Sequence, residues 1–360
     1  MAEAGCAIGR RAALSFGLKA AVLLAALATA APALAADPSG PARVRLAALL
    51  SSVPSGSQSR FAAADNTGYP VGTIKIISRP ASTGHGYIGV YHVSNPKGTY
   101  FVRVGTSGDL LHWTYRATLA RNASQPTITA LSNGGFLVAF ERYTPLLLGF
   151  GGASNLEFLF YASYYDLMDG HASQMFIAPR VLSQSFEGTP DVDNVVVGRP
   201  PSALLGLIQG SPMSNSTIQV SFHYLNAKYV DRQATGTLVN FARWTAVDLP
   251  SLDDAFGNTF KGNIGGRDDL TFEGWPFTII EAQSTPNKFG TWRIYLRDDT
   301  SSLLVKLSPR TPAGSLSFGN PKVTVLNDPR GRPALVVSLY VFGSHNGPGE
   351  AGPLIYYNRL

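Results

Sequence analysis

The chain is predicted to be all-β: a five-bladed β-propeller forming a single domain behind an export signal. Three observations lead there. After residue 60 the sequence runs in short apolar or alternating stretches separated by Gly, Pro, Asn, Asp and Ser, with almost no 3.6-residue period. A strand-and-turn pattern returns at intervals of 57 to 76 residues. The length left after the signal, about 325 residues, divides into five units of about 65, which suits a four-stranded blade.

Residues 1–35 read as a cleavable export signal. Basic Arg10, Arg11 and Lys19 precede an apolar run from Ala20 to Ala31, and Ala33-Leu34-Ala35 supplies the small-residue cleavage site before Ala36. That run is about twelve residues, whereas a membrane span needs about 20, and no later segment is longer. The expectation is a secreted, extracellular protein with no membrane span. Arg10-Arg11 also admits a twin-arginine reading, which Ala12, Ala13 and Leu14 fit loosely. The single cysteine, Cys6, leaves with the signal, so disulfides, thiol catalysis and thiolate metal ligation are excluded from the mature chain. Removing Arg10, Arg11, Lys19 and Glu3 leaves 26 basic and 22 acidic residues, a formal +4 with no Lys/Arg block, which argues against a nucleic-acid partner. Asn122-Ala123-Ser124 and Asn215-Ser216-Thr217 match the glycosylation triplet, relevant only in a eukaryotic host.

Residues 36–64, rich in Ala, Ser, Gly and Pro, read as a flexible lead-in with one helical turn around Val44 to Leu50. From 65 to 360 the propeller strands follow: Thr73 to Ile77, Tyr87 to Val93, Tyr100 to Val104, Phe136 to Glu141, Leu156 to Ala162, Gln219 to Tyr224, Phe277 to Ala282, Trp292 to Leu296, Ala334 to Val341 and Leu354 to Tyr357. Helix is expected with assurance only in the signal. Phe101 to Leu110 is echoed by Phe158 to Leu167, each a strand running into Ser-x-Asp-Leu or Ser-x-x-Asp-Leu. Each is followed by a strand and then by a polar residue opening a further one, Gln125-Pro126-Thr127-Ile128 and Glu187-Gly188-Thr189-Pro190, with weaker echoes at Asn263, at Asn320-Pro321 and back at Asp65-Asn66. The last strand is expected to complete a blade begun elsewhere and so close the ring.

Thr106-Ser107-Gly108-Asp109-Leu110-Leu111-His112-Trp113 resembles the Ser-x-Asp-Leu-x-x-Trp turn of propeller glycosidases such as glycoside hydrolase families 43 and 32, and is similar to the Asp-box of sialidases. Glu187-Gly188-Thr189-Pro190 resembles the Glu-Gly-Pro that carries the general acid in family 43. The chain also looks like a group of secreted actinobacterial and fungal propeller proteins, a similarity that covers most of the mature chain. These motifs cover about twenty residues, and the Asp of the turn has a structural use, hydrogen-bonding its own backbone. The second-blade position where family 43 has an Asp is Gln125, and the first blade offers only Asp65, so the resemblance does not carry the family's activity with it.

In a propeller the start of each innermost strand and the end of the second open on one face. The starts are Asp65 or Asn66, Gln125, Glu187, Asn263 with Arg267 and Asp268, and Asn320; the ends are His92, Glu141, His223, Glu281 and an apolar run near Tyr340. Two histidines, at least three carboxylates and an arginine thus converge although charged residues make up 14% of the chain, which is the sign of a single asymmetric polar pocket.

Hydrolysis of a glycosidic bond requires one carboxyl group held protonated and another ionised. Glu187 is assigned the acid, Asp268 or Glu281 its partner, with Arg267 keeping the base ionised. His92, Gln125, Glu141, Asn263, Arg267, Trp292 and Asn320 are expected to bind substrate, with Trp275, Tyr143 and Tyr165 as further stacking surfaces. A polysaccharide lyase is the alternative enzyme, with His223 or Tyr224 as base and Arg267 and Asn263 neutralising a uronate. A sialidase would need an arginine triad, and only Arg267 and Arg293 are available. No short ligand spacing links His92, His223 and the carboxylates, so no metal or cofactor is expected. A lectin-like binding protein is the competing class; the different residue each blade contributes favours one asymmetric site. A monomer acting on a glycan or polysaccharide is the expectation.

Overall fold

The computed structural model describes residues 37–144, 153–198, 212–257, 260–286, 288–343 and 346–360, of which Pro38–Leu360 form one compact unit. The export signal lies outside the described residues. Blade 1 is β2 (Gly72–Ser78), β3 (Tyr87–Ser94), β4 (Tyr100–Ser107) and β5 (Thr114–Arg121). Blade 2 is β6 (Ala123–Ala130), β7 (Phe136–Thr144), β8 (Ala153–Tyr161) and β9 (Gln174–Ile177). Blade 3 is β10 (Glu187–Val197), β11 (Ser216–Leu225), β12 (Asp231–Val239) and β13 (Arg243–Asp248). Blade 4 is β14 (Asn263–Phe272), β15 (Trp275–Gln283), β16 (Trp292–Asp298) and β17 (Leu304–Lys306). Blade 5 runs from β18 (Phe318–Asn327) through β19 (Pro333–Val341) to β20 (Gly352–Arg359), and its outer strand is β1 (Ser59–Arg60).

The innermost strands β2, β6, β10, β14 and β18 meet in cyclic order, as the predicted five-bladed propeller requires. The joints between blades are apolar. Ile88 and Val90 of blade 1 pack with Ile128 and Val138 of blade 2, for example, and Leu137 and Ala139 pack with Val220 and Phe222 of blade 3. The joint between blades 3 and 4 is different: a short helix, α3 (Pro250–Asp254), lays Leu252 against Ile264, Ile280 and Ala282.

Ring closure corrects two expectations. The terminal strand β20 belongs to its own blade, and the strand that completes that blade comes from the N-terminal side, Ser59↔Tyr356 and Arg60↔Ile355. The segment expected as a flexible lead-in holds a three-turn helix, α1 (Gly40–Ser51). Its Ala42, Leu46 and Leu50 recur every four residues and bury against Leu296, Leu307, Leu339 and Tyr356. Polar ties reinforce this: Arg43 pairs with the buried Asp298 at 2.7 Å, and the Tyr356 hydroxyl donates to the Leu50 carbonyl at 2.5 Å. A third helix, α2 (Tyr164–Asp169), occupies the second Ser-x-x-Asp turn, capped by Ser163.

The first blade begins at Gly72, not at Asp65 or Asn66. Asp65 is a buried turn residue whose carboxylate accepts from Thr67, Tyr91 and Arg103. The Ser107-Gly108-Asp109 turn is structural as expected: Asp109 accepts from the Leu111 and His112 backbone at 3.0 and 2.8 Å, and Trp113 is buried behind it.

Candidate functional site

Every innermost strand carries a bulge near its start in which two residues oppose one on the partner strand, between Gly72 and Lys75, Ser124 and Thr127, Gly188 and Asp191, Ile264 and Arg267, and Gly319 and Lys322. Four of the five bulges contain a residue in the left-handed region: Thr73, Gln125, Thr189 and Asn320, with φ of 50 or 51°. A bulge re-aims the chain and frees backbone N–H groups from the ladder. At three joints the second strand of the preceding blade takes such a group. His92 Nδ1 accepts from Gln125 N at 3.2 Å, Glu141 Oε2 from Thr189 N at 3.1 Å, and Glu281 Oε2 from Asn320 N at 2.6 Å. These side chains therefore latch adjacent blades and at the same time face the axis.

Above the bulges lies a cavity of about 520 Å³. Its polar wall is His92, Ser124, Gln125, Glu141, Thr189, His223, Asp231, Glu281 and Asn320, and its aromatic wall includes Tyr100, Tyr143, Phe186, Trp292, Tyr340 and Phe342. Seven of the sequence-predicted residues are thus brought together: His92, Gln125, Glu141, His223, Glu281, Trp292 and Asn320.

The other four are elsewhere, each for a physical reason. Glu187 is buried, and its Oε1 accepts three backbone N–H groups, from Val181, Leu182 and Ser183, which makes it the organiser of the preceding loop. Asn263 joins blades 3 and 4 by bonding Asp231 N and the Gln283 side chain. Asp268 lies farther down the axis, held by both Lys75 Nζ contacts at 2.7 Å and by Val323 N at 2.5 Å. Arg267, one residue earlier, is buried and acts electrostatically on Asp193 and Asp253. Two of the expected stacking aromatics are also displaced: Trp275 sits at the far end of blade 4, paired with Phe272, and Tyr165 is exposed on α2.

Together Lys75, Asp191, Asp268 and Lys322 plug the channel beneath the cavity. Lys322 approaches Asp191 at 3.5 Å, and Thr127 donates to Asp191 at 3.1 Å. Burial works against the Lys75 ammonium, but Asp268 and Asp191 outweigh it and raise its pKa. Asp191 of the plug also joins Asp193 and Asp269, the three bringing one oxygen each within 4.8 Å of the others. Burial first, and then the Asp269 charge, pushes Asp193 up to about 7.

Within the cavity the titrating groups differ sharply. Burial alone lowers the His92 imidazole to about 4. Burial also opposes the His223 cation, yet Asp231, 3.5 Å from Nδ1, together with Glu141 and Glu281 raises its pKa. His223 Nε2 is 2.9 Å from Thr189 Oγ1. Burial pushes Glu281 above the ordinary carboxyl range, against the N–H bonds from Asn320 and Gly266 and the charge of His223. Glu141 accepts from Ser124 Oγ at 2.7 Å and from the Tyr143 hydroxyl on one oxygen, and from Thr189 on the other. Three bulge glycines make room for these carboxyls, since a Cβ on Gly188 would strike Glu141 and one on Gly265 or Gly319 would strike Glu281.

The architecture is shared with solved structures. A thermostable family-43 glycoside hydrolase superposes with a TM-score of 0.52 at 11% identity, covering 84% of this chain and 93% of that one. The GH93 α-L-arabinofuranosidase of Fusarium graminearum, solved with arabinobiose, matches at TM-score 0.50 and 10% identity over 84% of this chain and 98% of that one. The chain has the fold of these hydrolases. A third structure, described as a glycoside hydrolase, matches at TM-score 0.52, 11% identity, 89% and 95% coverage. No family model matches the sequence, and no curated protein matches it in sequence.

The residues missed in the sequence are Asp231 and the aromatics Tyr100, Phe186, Phe289 and Phe342. Several come from the connections between the second and third strands of the blades, which open on the same face. That connection was the available signal.

Proposed function

We propose that this protein is a secreted, monomeric glycoside hydrolase that takes the end of a neutral glycan into the axial cavity. Glu281 carries the reading. It is a buried carboxyl that faces the cavity and whose pKa is raised by that burial, the property a general acid needs to protonate a leaving oxygen. Glu141, from a different blade, is the second carboxyl and serves as base or nucleophile, its oxygens oriented by Ser124, Tyr143 and Thr189. His223 and Asp231 set the field between them. The likeness to hydrolase propellers supports the class of chemistry. The export signal read at residues 1–35 supports an extracellular site of action, and no helix among the described residues is long and apolar enough to cross a membrane.

Charge supports a neutral substrate. Among the described residues lining the cavity there are three carboxyls and no Lys or Arg, so a uronate or sialoside carboxylate would meet three like charges with only His223, already engaged by Asp231, to offset them. The lyase alternative loses its neutralising pair for the same reason, since Arg267 and Asn263 do not line the cavity. A non-catalytic glycan-binding pocket is the second reading, favoured by the blade-latching bonds that already occupy Glu141 and Glu281.

Glu281→Gln and Glu141→Gln separate the two. As a hydrolase, either variant loses about 10²–10⁴-fold in kcat, and wild-type activity falls as pH rises through the raised Glu281 pKa. Glycan binding without product release by the wild type sinks the catalytic reading and leaves the binding one.

A further inference from the structure

The aromatic wall of blades 4 and 5 does not stop at the cavity. Trp292, nine-tenths buried, is stacked at 29° on Phe342 with ring centroids 6.4 Å apart; Phe342 is 5.3 Å from Tyr340 and 5.4 Å from Phe289, and Phe289 is 59% exposed. The exposed ring stands on a fixed backbone. Its residue opens the turn Phe289–Thr291, its carbonyl accepts from the buried Ser317 hydroxyl at 2.7 Å, and Gly290 O accepts from Arg293 at 2.9 Å. Aromatic rings therefore run without a break from the mouth of the cavity to its interior.

Among the described residues, three buried polar atoms of this cavity's lining have no hydrogen-bond partner: the Trp292 Nε1–H lacks an acceptor, Gln125 Oε1 lacks a donor, and His223 Nδ1 has only the Asp231 carboxylate at 3.5 Å. Buried polar groups are nearly always satisfied, so an orphaned donor and an orphaned acceptor on residues that line one cavity point to a ligand that carries both. A sugar does so with each hydroxyl, while its C–H face suits an aromatic ring.

We propose that Phe289 and Phe342 form a second sugar subsite at the cavity mouth, so that the ligand is at least two units long, with its terminal sugar against Trp292 and Gln125 and the next stacked on Phe289. This rests on the glycan reading given above. The aromatic contact at the mouth discriminates chain length, because a single sugar reaches only the cavity.

The test compares affinities for matched pairs, the methyl glycoside and the disaccharide of arabinose, xylose and galactose, measured by quenching of tryptophan fluorescence on the intact protein. For whichever sugar binds, the disaccharide is expected to bind about tenfold tighter than the methyl glycoside, and Phe289→Ala is expected to bring that ratio close to one, with Phe289→Trp restoring it. A ratio near one in the wild type, or a ratio unchanged in Phe289→Ala, overturns the subsite while leaving the glycan reading intact. Binding of none of the six ligands overturns both.

Discussion

His92 and Glu281 feel burial with opposite consequences. His92 drops from the ordinary imidazole value of 6.5 to about 4 because burial penalises its cation, and the neutral ring accepts the Gln125 N–H. The unfolded chain takes up a proton near 6.5 and the folded one resists until about 4, so the contribution is complete above pH 6.5 and is lost as pH falls through 4. Denaturant unfolding at pH 7 and pH 5 should show that loss, and His92→Gln, which keeps an acceptor, should flatten it. Glu281 is shifted upward, so protonation stabilises the folded form and its share of stability fades as pH rises. In the sequence the polar residues at the ends of the second strands were legible because propeller geometry fixes their direction. Glu187 and Asp268 were not, because a carboxylate that organises a loop and one that takes a lysine look the same in one dimension as one that faces substrate.

The bulged innermost strand is the element that makes the site. It turns a backbone N–H toward the neighbouring blade, and the second-strand carboxyl or imidazole of that blade receives it. Gly319 tests this coupling. Its backbone is open to any residue, and what forbids a side chain is collision with Glu281 Oε2 and the Phe342 ring. Gly319→Ala should cost about 1–3 kcal/mol of stability through overpacking and, by displacing Glu281, should lower kcat/KM at least tenfold. Kinetics and unfolding of the same preparation read both effects. The strands themselves were readable from alternation and turn residues, and four of five blade starts fell within two residues of the observed ones. The helix α1 was expected only as one turn around Val44 to Leu50, because its apolar stripe is only Ala42, Leu46 and Leu50 within a segment of linker-like composition, and tertiary packing, not local pattern, holds its full length.

For the whole molecule, the axis divides into a cavity above and an ionic plug below. Lys75, Lys322, Asp191 and Asp268 balance in charge, and removing one leaves its partner buried and uncompensated. Asp268→Asn should therefore lose about 3–5 kcal/mol of stability in guanidinium unfolding, and a paired Lys75→Met, Asp268→Leu chain should recover much of it. The sequence showed that charge converges on the axis; it could not show that the charges separate into two tiers, because depth along the strand depends on where each bulge falls. The upper tier, acidic and aromatic with no Lys or Arg among its described residues, is where the account is most exposed. The direct measurement is release of reducing ends by the purified protein from arabinan, xylan and galactan set beside polygalacturonate and sialosides. The account predicts release from a neutral polymer and none from the acidic ones; turnover of an acidic glycan, or of none at all, would contradict it.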